Sequence, residues 1–149
     1  MNDFEHSTGP AALVLPDSLR LALLAHLREW LPFEGCALLG GHFGPGGRAI
    51  AASLYPGANA LHSRTRYRMA ATDLIAAQKA MRSADQDLVA IAHSHPESDP
   101  IPSATDLAEA FYPQAAMLIV GFGEDHETMR AWALHPDREN SPWQIPIEP

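Results

Sequence analysis

Leu88-Val89-Ala90-Ile91-Ala92-His93-Ser94-His95-Pro96 is the stretch on which both the fold and the chemistry of this chain turn. Five apolar residues in succession leave no polar face, the pattern of a strand buried on both sides at the centre of a sheet. Side-chain direction repeats every second residue in a strand, so His93 and His95 present their imidazoles on the same face. Pro96 lacks a backbone N–H and ends the ladder. A rigid strand therefore delivers two nitrogen donors side by side at its carboxyl end, which is an arrangement suited to a metal ion.

A catalytic zinc takes three protein ligands at about 2.0–2.2 Å and keeps a fourth position for water. A carboxylate is therefore sought nearby, and Glu97, Asp99 and Asp106 are the candidates. Glu97 and Asp99 belong to Glu97-Ser98-Asp99-Pro100-Ile101-Pro102, whose prolines favour an extended loop. Asp106 precedes Leu107-Ala108-Glu109-Ala110-Phe111, a run without a breaker that reads as a helix and favours Asp106 by rigid placement. Plain readings compete. Two histidines can fall together on a strand by chance, and Ser103, three before Asp106, can serve simply as a helix N-cap with an acid in the first turn.

Working outward, the elements order as an α/β domain. Pro16-Asp17-Ser18 opens a helix with Leu19, Leu23, Leu27 and Trp30 at helical spacing, ending before Pro32. Strands Ala37 to Phe43 and Arg48 to Tyr55 flank Gly44-Pro45-Gly46-Gly47, a hairpin signal. A second helix is expected from Thr72 to Arg82, with Leu74, Ile75, Ala77 and Met81 toward the core. After the histidine strand and the short helix from Ser103, Ala115 to Gly121 reads as another buried strand. Thr128 to Leu134 pairs with it across Gly123-Glu124-Asp125-His126, and a final short strand uses Trp143 to Ile147. Residues 1–12 are expected to be disordered and the Pro136 to Pro142 stretch mobile, leaving 13–149 as one domain.

Composition bounds the chain without identifying it. Its 149 residues, 46% hydrophobic, suffice for one sizeable core. A formal charge of −8 disfavours a nucleic-acid surface and suits a protein partner. One cysteine cannot form an internal disulfide, and no run approaches the ~20 apolar residues of a membrane span. The first ten residues have no basic region followed by a long apolar run, so no signal peptide is read and a cytoplasmic location is expected.

The string His93-x-His95-Pro96-x6-Ser103-x-x-Asp106 resembles the signature of the JAMM metalloproteases, the catalytic MPN-domain family, at every fixed position. Upstream, Glu34-Gly35-Cys36-Ala37-Leu38-Leu39-Gly40-Gly41 is similar to that family's glutamate segment, departing at Ala37, where many prokaryotic members carry glycine. Asn59 to Met69 also resembles the asparagine-to-tyrosine stretch of bacterial members. The likeness spans roughly residues 15 to 135 and implies a mixed sheet between helices, of the cytidine-deaminase-like kind.

What the resemblance implies is specific. His93, His95 and Asp106 would hold one Zn2+ per chain, Glu34 would be the general acid/base, and Ser103 would donate to the developing oxyanion. The activity implied is zinc-dependent peptidase or isopeptidase hydrolysis after the carboxyl-terminal diglycine of a ubiquitin-like protein. Small bacterial members look suited to sulfur-carrier proteins of the thiamine, molybdenum-cofactor or cysteine pathways, and a strand edge near the site is expected to bind the extended tail by β-addition. A homodimer is left open. The alternative is a noncatalytic MPN-type scaffold that retains a metal. A zinc deaminase is disfavoured because its site needs a paired-cysteine motif. Cys36 shares the strand face of Glu34, which motivates a redox-switch hypothesis; the other histidines default to surface or packing roles.

Overall fold

The computed structural model describes residues 9–123, 126–134 and 142–149. The described chain forms one eight-stranded mixed sheet with three helices, confirming the α/β reading. In chain order the elements are β1 (Ala12–Val14), α1 (Asp17–Trp30), β2 (Cys36–Gly44), β3 (Arg48–Gly57), α2 (Ala71–Ser83), β4 (Asp87–His95), α3 (Ala104–Ala108), β5 (Ala116–Gly121), β6 (Thr128–Ala133), β7 (Trp143–Ile145) and β8 (Ile147–Glu148). The spatial order is β7-β6-β5-β4-β2-β3-β1-β8.

Strand β4 sits at the centre, antiparallel to β2 and parallel to β5. Both its sides are taken, so any edge that binds an extended tail by β-addition belongs to another strand. Strand parity sorts the side chains. On one face, Ala37 and Leu39 of β2, Ala92 of β4, and Leu118 and Val120 of β5 pack with Leu23, Leu24 and Leu27 of α1. Each of those leucines contributes about 1.5–3 kcal/mol by leaving water. On the other face Leu38, Leu88 and Ile91 pack with Ala77 and Met81 of α2. His93 and His95 continue the face of Ile91, so they emerge on the side of α2 and α3, while Ser94 points to the α1 side.

The hairpin between β2 and β3 turns through Pro45–Gly47, where Gly46 and Gly47 have φ of 74° and 75°. An L-residue with a side chain rarely adopts that backbone, which explains the paired glycines. Helix α2 starts and stops close to its expected bounds, yet Ile75 is 53% exposed; Ala77 and Met81 are buried and Leu74 is half-buried. Three apolar positions fill the stripe facing the sheet and the fourth falls outside it.

The final strand differs most from expectation. Pro146 divides it into β7, which pairs with β6, and β8, which pairs in parallel with β1. β7 and β8 are the two edge strands of the sheet order yet only Pro146 separates them in the chain, so the sheet curls until its edges lie close. Leu13 N–H donates to Pro146 O at 2.9 Å and Leu15 N–H to Glu148 O at 2.7 Å.

Residues 9–12, expected to precede the domain, are built into it. Gly9 N–H donates to Leu134 O, Ala11 N–H donates to Gly47 O, and Ala12 is buried in β1. The rest of the segment expected to be disordered, most of the 136–142 stretch, Glu124, Asp125 and His135 lie outside the described residues.

Candidate functional site

Three donor atoms converge where β4 ends. His93 Nε2 and His95 Nε2 are 3.2 Å apart, and Asp106 Oδ2 lies 3.1 Å from the first and 3.0 Å from the second. All three residues are buried. The register that aligns them is Cys36 and Ile119 across from His93, with Gly121 beside His95. Asp106 is held by a reciprocal cap at the start of α3: its N–H donates to Ser103 Oγ at 3.0 Å, and its Oδ2 accepts from Ser103 N–H at 2.9 Å.

The donor set suits a cation. The Asp99 carbonyl can only accept, so the 2.8 Å contact fixes a proton of His95 on Nδ1 and, in the neutral imidazole, leaves Nε2 a lone pair. That lone pair faces a carboxylate oxygen and a second imidazole nitrogen at about 3 Å, an arrangement of acceptors that a positive charge reconciles. Ligands in a tetrahedron of ~2.0 Å bonds are separated by about 3.3 Å, close to the spacing seen here. Without a cation, protons on the imidazoles can meet the same need by donating to Asp106. Burial pushes the Asp106 carboxyl up, but hydrogen bonds from His93 and His95 more than offset this and hold it well below the usual carboxylate range. Burial opposes charge on His95, yet its bonds to Asp106 and Asp99 leave its pKa raised.

Of the other candidate carboxylates, Asp99 contributes its backbone carbonyl, and the exposed Glu97 pairs with Arg64 at 3.3 Å. The loop carrying them is fitted closely to the sheet. Trp132 Nε1–H donates to Pro100 O at 3.0 Å, and a Cβ on Gly121 would stand 2.8 Å from Pro100 Cδ and from Ser98 O.

Glu34 lies in the segment leading into β2 and is buried. Burial pushes its carboxyl up to about 7, with His95 lowering and Asp106 raising it by smaller amounts. Its Oε1 has no hydrogen-bond partner among the described residues. A buried, proton-accepting carboxylate within the field of the cluster is what a general base requires.

Two residues outside the list of candidates shape this site. Tyr67 stacks on His93, with ring centroids 4.8 Å apart and planes inclined by 24°. Asn59, fully buried, bonds the backbone at Glu34, Leu61, Arg66 and Arg68. Both lie in the Asn59 to Met69 stretch, whose resemblance to bacterial members was the one signal pointing to them. Next to Tyr67 and Asp106 opens an apolar cavity of about 370 Å³, walled by Leu38, Met69, Met81 and Ile91.

The Cys36 thiol turns away to the Gly57 and Ala58 carbonyls, and burial pushes it up to about 12. An inert thiol of that kind does not support the redox-switch hypothesis. His26 hydrogen-bonds Cys36 O at 2.9 Å and His62 packs against Trp30 and Phe33, as expected of structural histidines.

Residues 16–135 match the family model described as prokaryotic homologs of the JAB domain. The chain belongs to that family. The JAB domain of this chain is 37% identical to a desampylase of Haloferax volcanii over 134 residues, 87% of this chain and 94% of the relative. It is also 34% identical to a CysO-cysteine peptidase of Mycobacterium tuberculosis over 114 residues, 76% of each. Among solved structures, a protein of Desulfitobacterium hafniense superposes with a TM-score of 0.77 at 28% identity, covering 91% of this chain and 90% of the other. A Salinibacter ruber protein does so with 0.70 at 34% identity and the same coverage. Family and relatives together place this JAB domain among the JAMM-type metallopeptidases. Among the described residues, no helix is long and apolar enough to cross a membrane.

Proposed function

We propose that this JAB domain is a zinc-dependent peptidase or isopeptidase that cleaves the bond after the carboxyl-terminal diglycine of a ubiquitin-like or sulfur-carrier protein in the cytoplasm. The observation that carries the reading is the convergence of three buried acceptor atoms, on His93, His95 and Asp106, beside a glutamate with a raised pKa. The names of the desampylase and the CysO-cysteine peptidase support the substrate class.

His93, His95 and Asp106 would hold the zinc. When bound, zinc lowers the pKa of its water toward about 7 and polarises the scissile carbonyl. Glu34 accepts the proton that the attacking water loses as its oxygen bonds to the carbonyl carbon. It then gives that proton to the nitrogen as the C–N bond breaks, so the products are a free carboxylate and an amine. Ser103 Oγ spends a lone pair on the Asp106 N–H. Its O–H stays available to donate to the oxyanion, so the capping and catalytic roles are compatible. Glycine at the scissile position suits a buried centre, because a residue without Cβ passes close to its walls.

The test is the intact mass of a diglycine-ending ubiquitin-like protein fused to a short carboxyl-terminal peptide, after incubation with zinc-loaded wild type or Glu34→Gln. Loss of the extension after the diglycine with wild type alone supports the reading. Equal cleavage by Glu34→Gln removes the base assignment. Zinc retention and carrier binding without cleavage by wild type would favour the scaffold.

A further inference from the structure

We infer that Asn59 and Ser94 form a two-sided clamp on the backbone of Glu34, making both positioning residues for the reaction. The inference rests on the assignment of Glu34 as general acid/base. Glu34 belongs to no helix or strand; it lies between the end of α1 and the start of β2. A carboxylate in such a segment keeps its place only if its peptide groups are tied down.

Both neighbouring peptides are tied, from opposite sides. On one side, Glu34 N–H donates to Ser63 O at 2.8 Å and Glu34 O accepts from Asn59 Nδ2 at 3.0 Å. On the other, Gly35 N–H donates to Ser94 Oγ at 2.8 Å and Gly35 O accepts from Ser94 N–H at 3.0 Å. Ser94 stands between the two histidines of β4, with its side chain on the opposite face. The strand that presents the imidazoles therefore also fixes the height of the glutamate above them.

Asn59 extends the same frame to the third wall of the site. Its Nδ2 donates to Arg66 O at 3.0 Å as well as to Glu34 O, while its Oδ1 accepts from Leu61 N–H and Arg68 N–H, each at 3.1 Å. Both donors and both acceptor positions of the amide are used, with the residue fully buried. The backbone so gathered carries Tyr67, whose ring lies on His93. One amide thus ties the position of the base to that of an imidazole. Aspartate is nearly the same shape but cannot donate from the position of Nδ2, so Asn59→Asp removes the hold on Glu34 O and Arg66 O.

Misplacement by about 1 Å can cost on the order of 10²-fold in rate. Asn59→Asp and Ser94→Ala are therefore expected to lower kcat by about 10- to 100-fold, with KM and zinc affinity within about threefold of wild type. The assay uses zinc-loaded protein and the diglycine fusion described above; zinc affinity is read by chelator competition, and Gly35 amide exchange by NMR.

A purely structural role would lower activity and zinc content together. Action through Glu34 predicts instead that Asn59→Asp and Ser94→Ala add less than about threefold to the defect of Glu34→Gln, and that Gly35 N–H exchanges faster in Ser94→Ala. Wild-type kcat in Ser94→Ala, or losses that multiply with Glu34→Gln, would overturn the clamp. If Asn59→Asp does not fold, Ser94→Ala decides by the same criteria. A fully active Glu34→Gln would instead overturn the underlying reading of the base.

Discussion

The ring of Tyr67 lies 4.8 Å from the imidazole of His93, nearly parallel to it, so an aromatic face fixes the plane of one histidine while Asp99 O fixes the other through His95 Nδ1. Burial pushes the Tyr67 hydroxyl well above its usual range, so the side chain acts as a neutral wall. Aromatic contacts of this kind contribute about 0.5–1.5 kcal/mol. Tyr67→Leu is expected to weaken zinc binding by about 2- to 10-fold, and Tyr67→Phe to leave it unchanged, by competition with a chromogenic chelator. Equal weakening in both variants would assign the effect to the hydroxyl instead of the ring.

Ser103 carries a cap and, on the proposed mechanism, an oxyanion donor. Ser103→Ala should lose about 1 kcal/mol of stability through the cap and, from loss of the donor, about 10²–10³ in kcat. Ser103→Thr keeps a hydroxyl at the same atom and should recover most of both. A Ser103→Ala variant that unfolds more easily yet turns over normally would leave capping as the whole role.

The protonation of Glu34 makes metal-free stability fall with rising pH. Folded, its carboxyl titrates near 7; unfolded, near 4.5. Between those values the native state keeps a proton that the unfolded chain has released. The resulting stability is complete below about 4.5 and is lost as pH rises through about 7. Asp106 works in the opposite sense, because its lowered pKa adds stability above 3.8 that disappears on acidification. In chelator, Glu34→Gln should therefore gain on wild type between pH 5 and pH 8, by about 1–3 kcal/mol. Urea unfolding at the two pH values measures this, and parallel curves would contradict it.

The loop of Asp99 depends on two contacts with the sheet. Gly121→Ala would press a methyl into Pro100 and Ser98 and is expected to cost about 1–3 kcal/mol. Displacement of Asp99 O should weaken zinc binding in the same variant. Trp132→Phe removes the N–H that holds Pro100 O and should lower stability by about 1 kcal/mol in thermal unfolding. A Gly121→Ala protein with wild-type zinc affinity would show that the loop adapts without moving Asp99.

How far the sequence was legible depended on the range of the interactions involved. Leu88 to His95 declared itself because burial on both faces and a period of two are local patterns, and α1 did so through the spacing of its leucines. The grouping of His93, His95 and Asp106 was also accessible, since one strand, one loop and one cap join them within a short span. Ile75 misled because composition alone does not say how wide a stripe the sheet will cover. Asn59 gave no local sign of its role: its partners are backbone groups, one of them at Glu34, and backbone groups look alike in every sequence. The final segment reads in sequence as one strand through Pro146, because its two halves take partners from distant parts of the chain that no local pattern announces.

Joining of the sheet edges by residues 143–148 has a bearing on how the molecule comes into being. Strand β1 is made early on the ribosome, yet its outer neighbour β8 is made after every other strand described. Until then the exposed side of β1 is a site for faulty pairing with another nascent chain. Closing the circle last ties completion of the fold to completion of this stretch of translation. A chain arrested before Ile147 would lack this closure and keep that side of β1 unpaired.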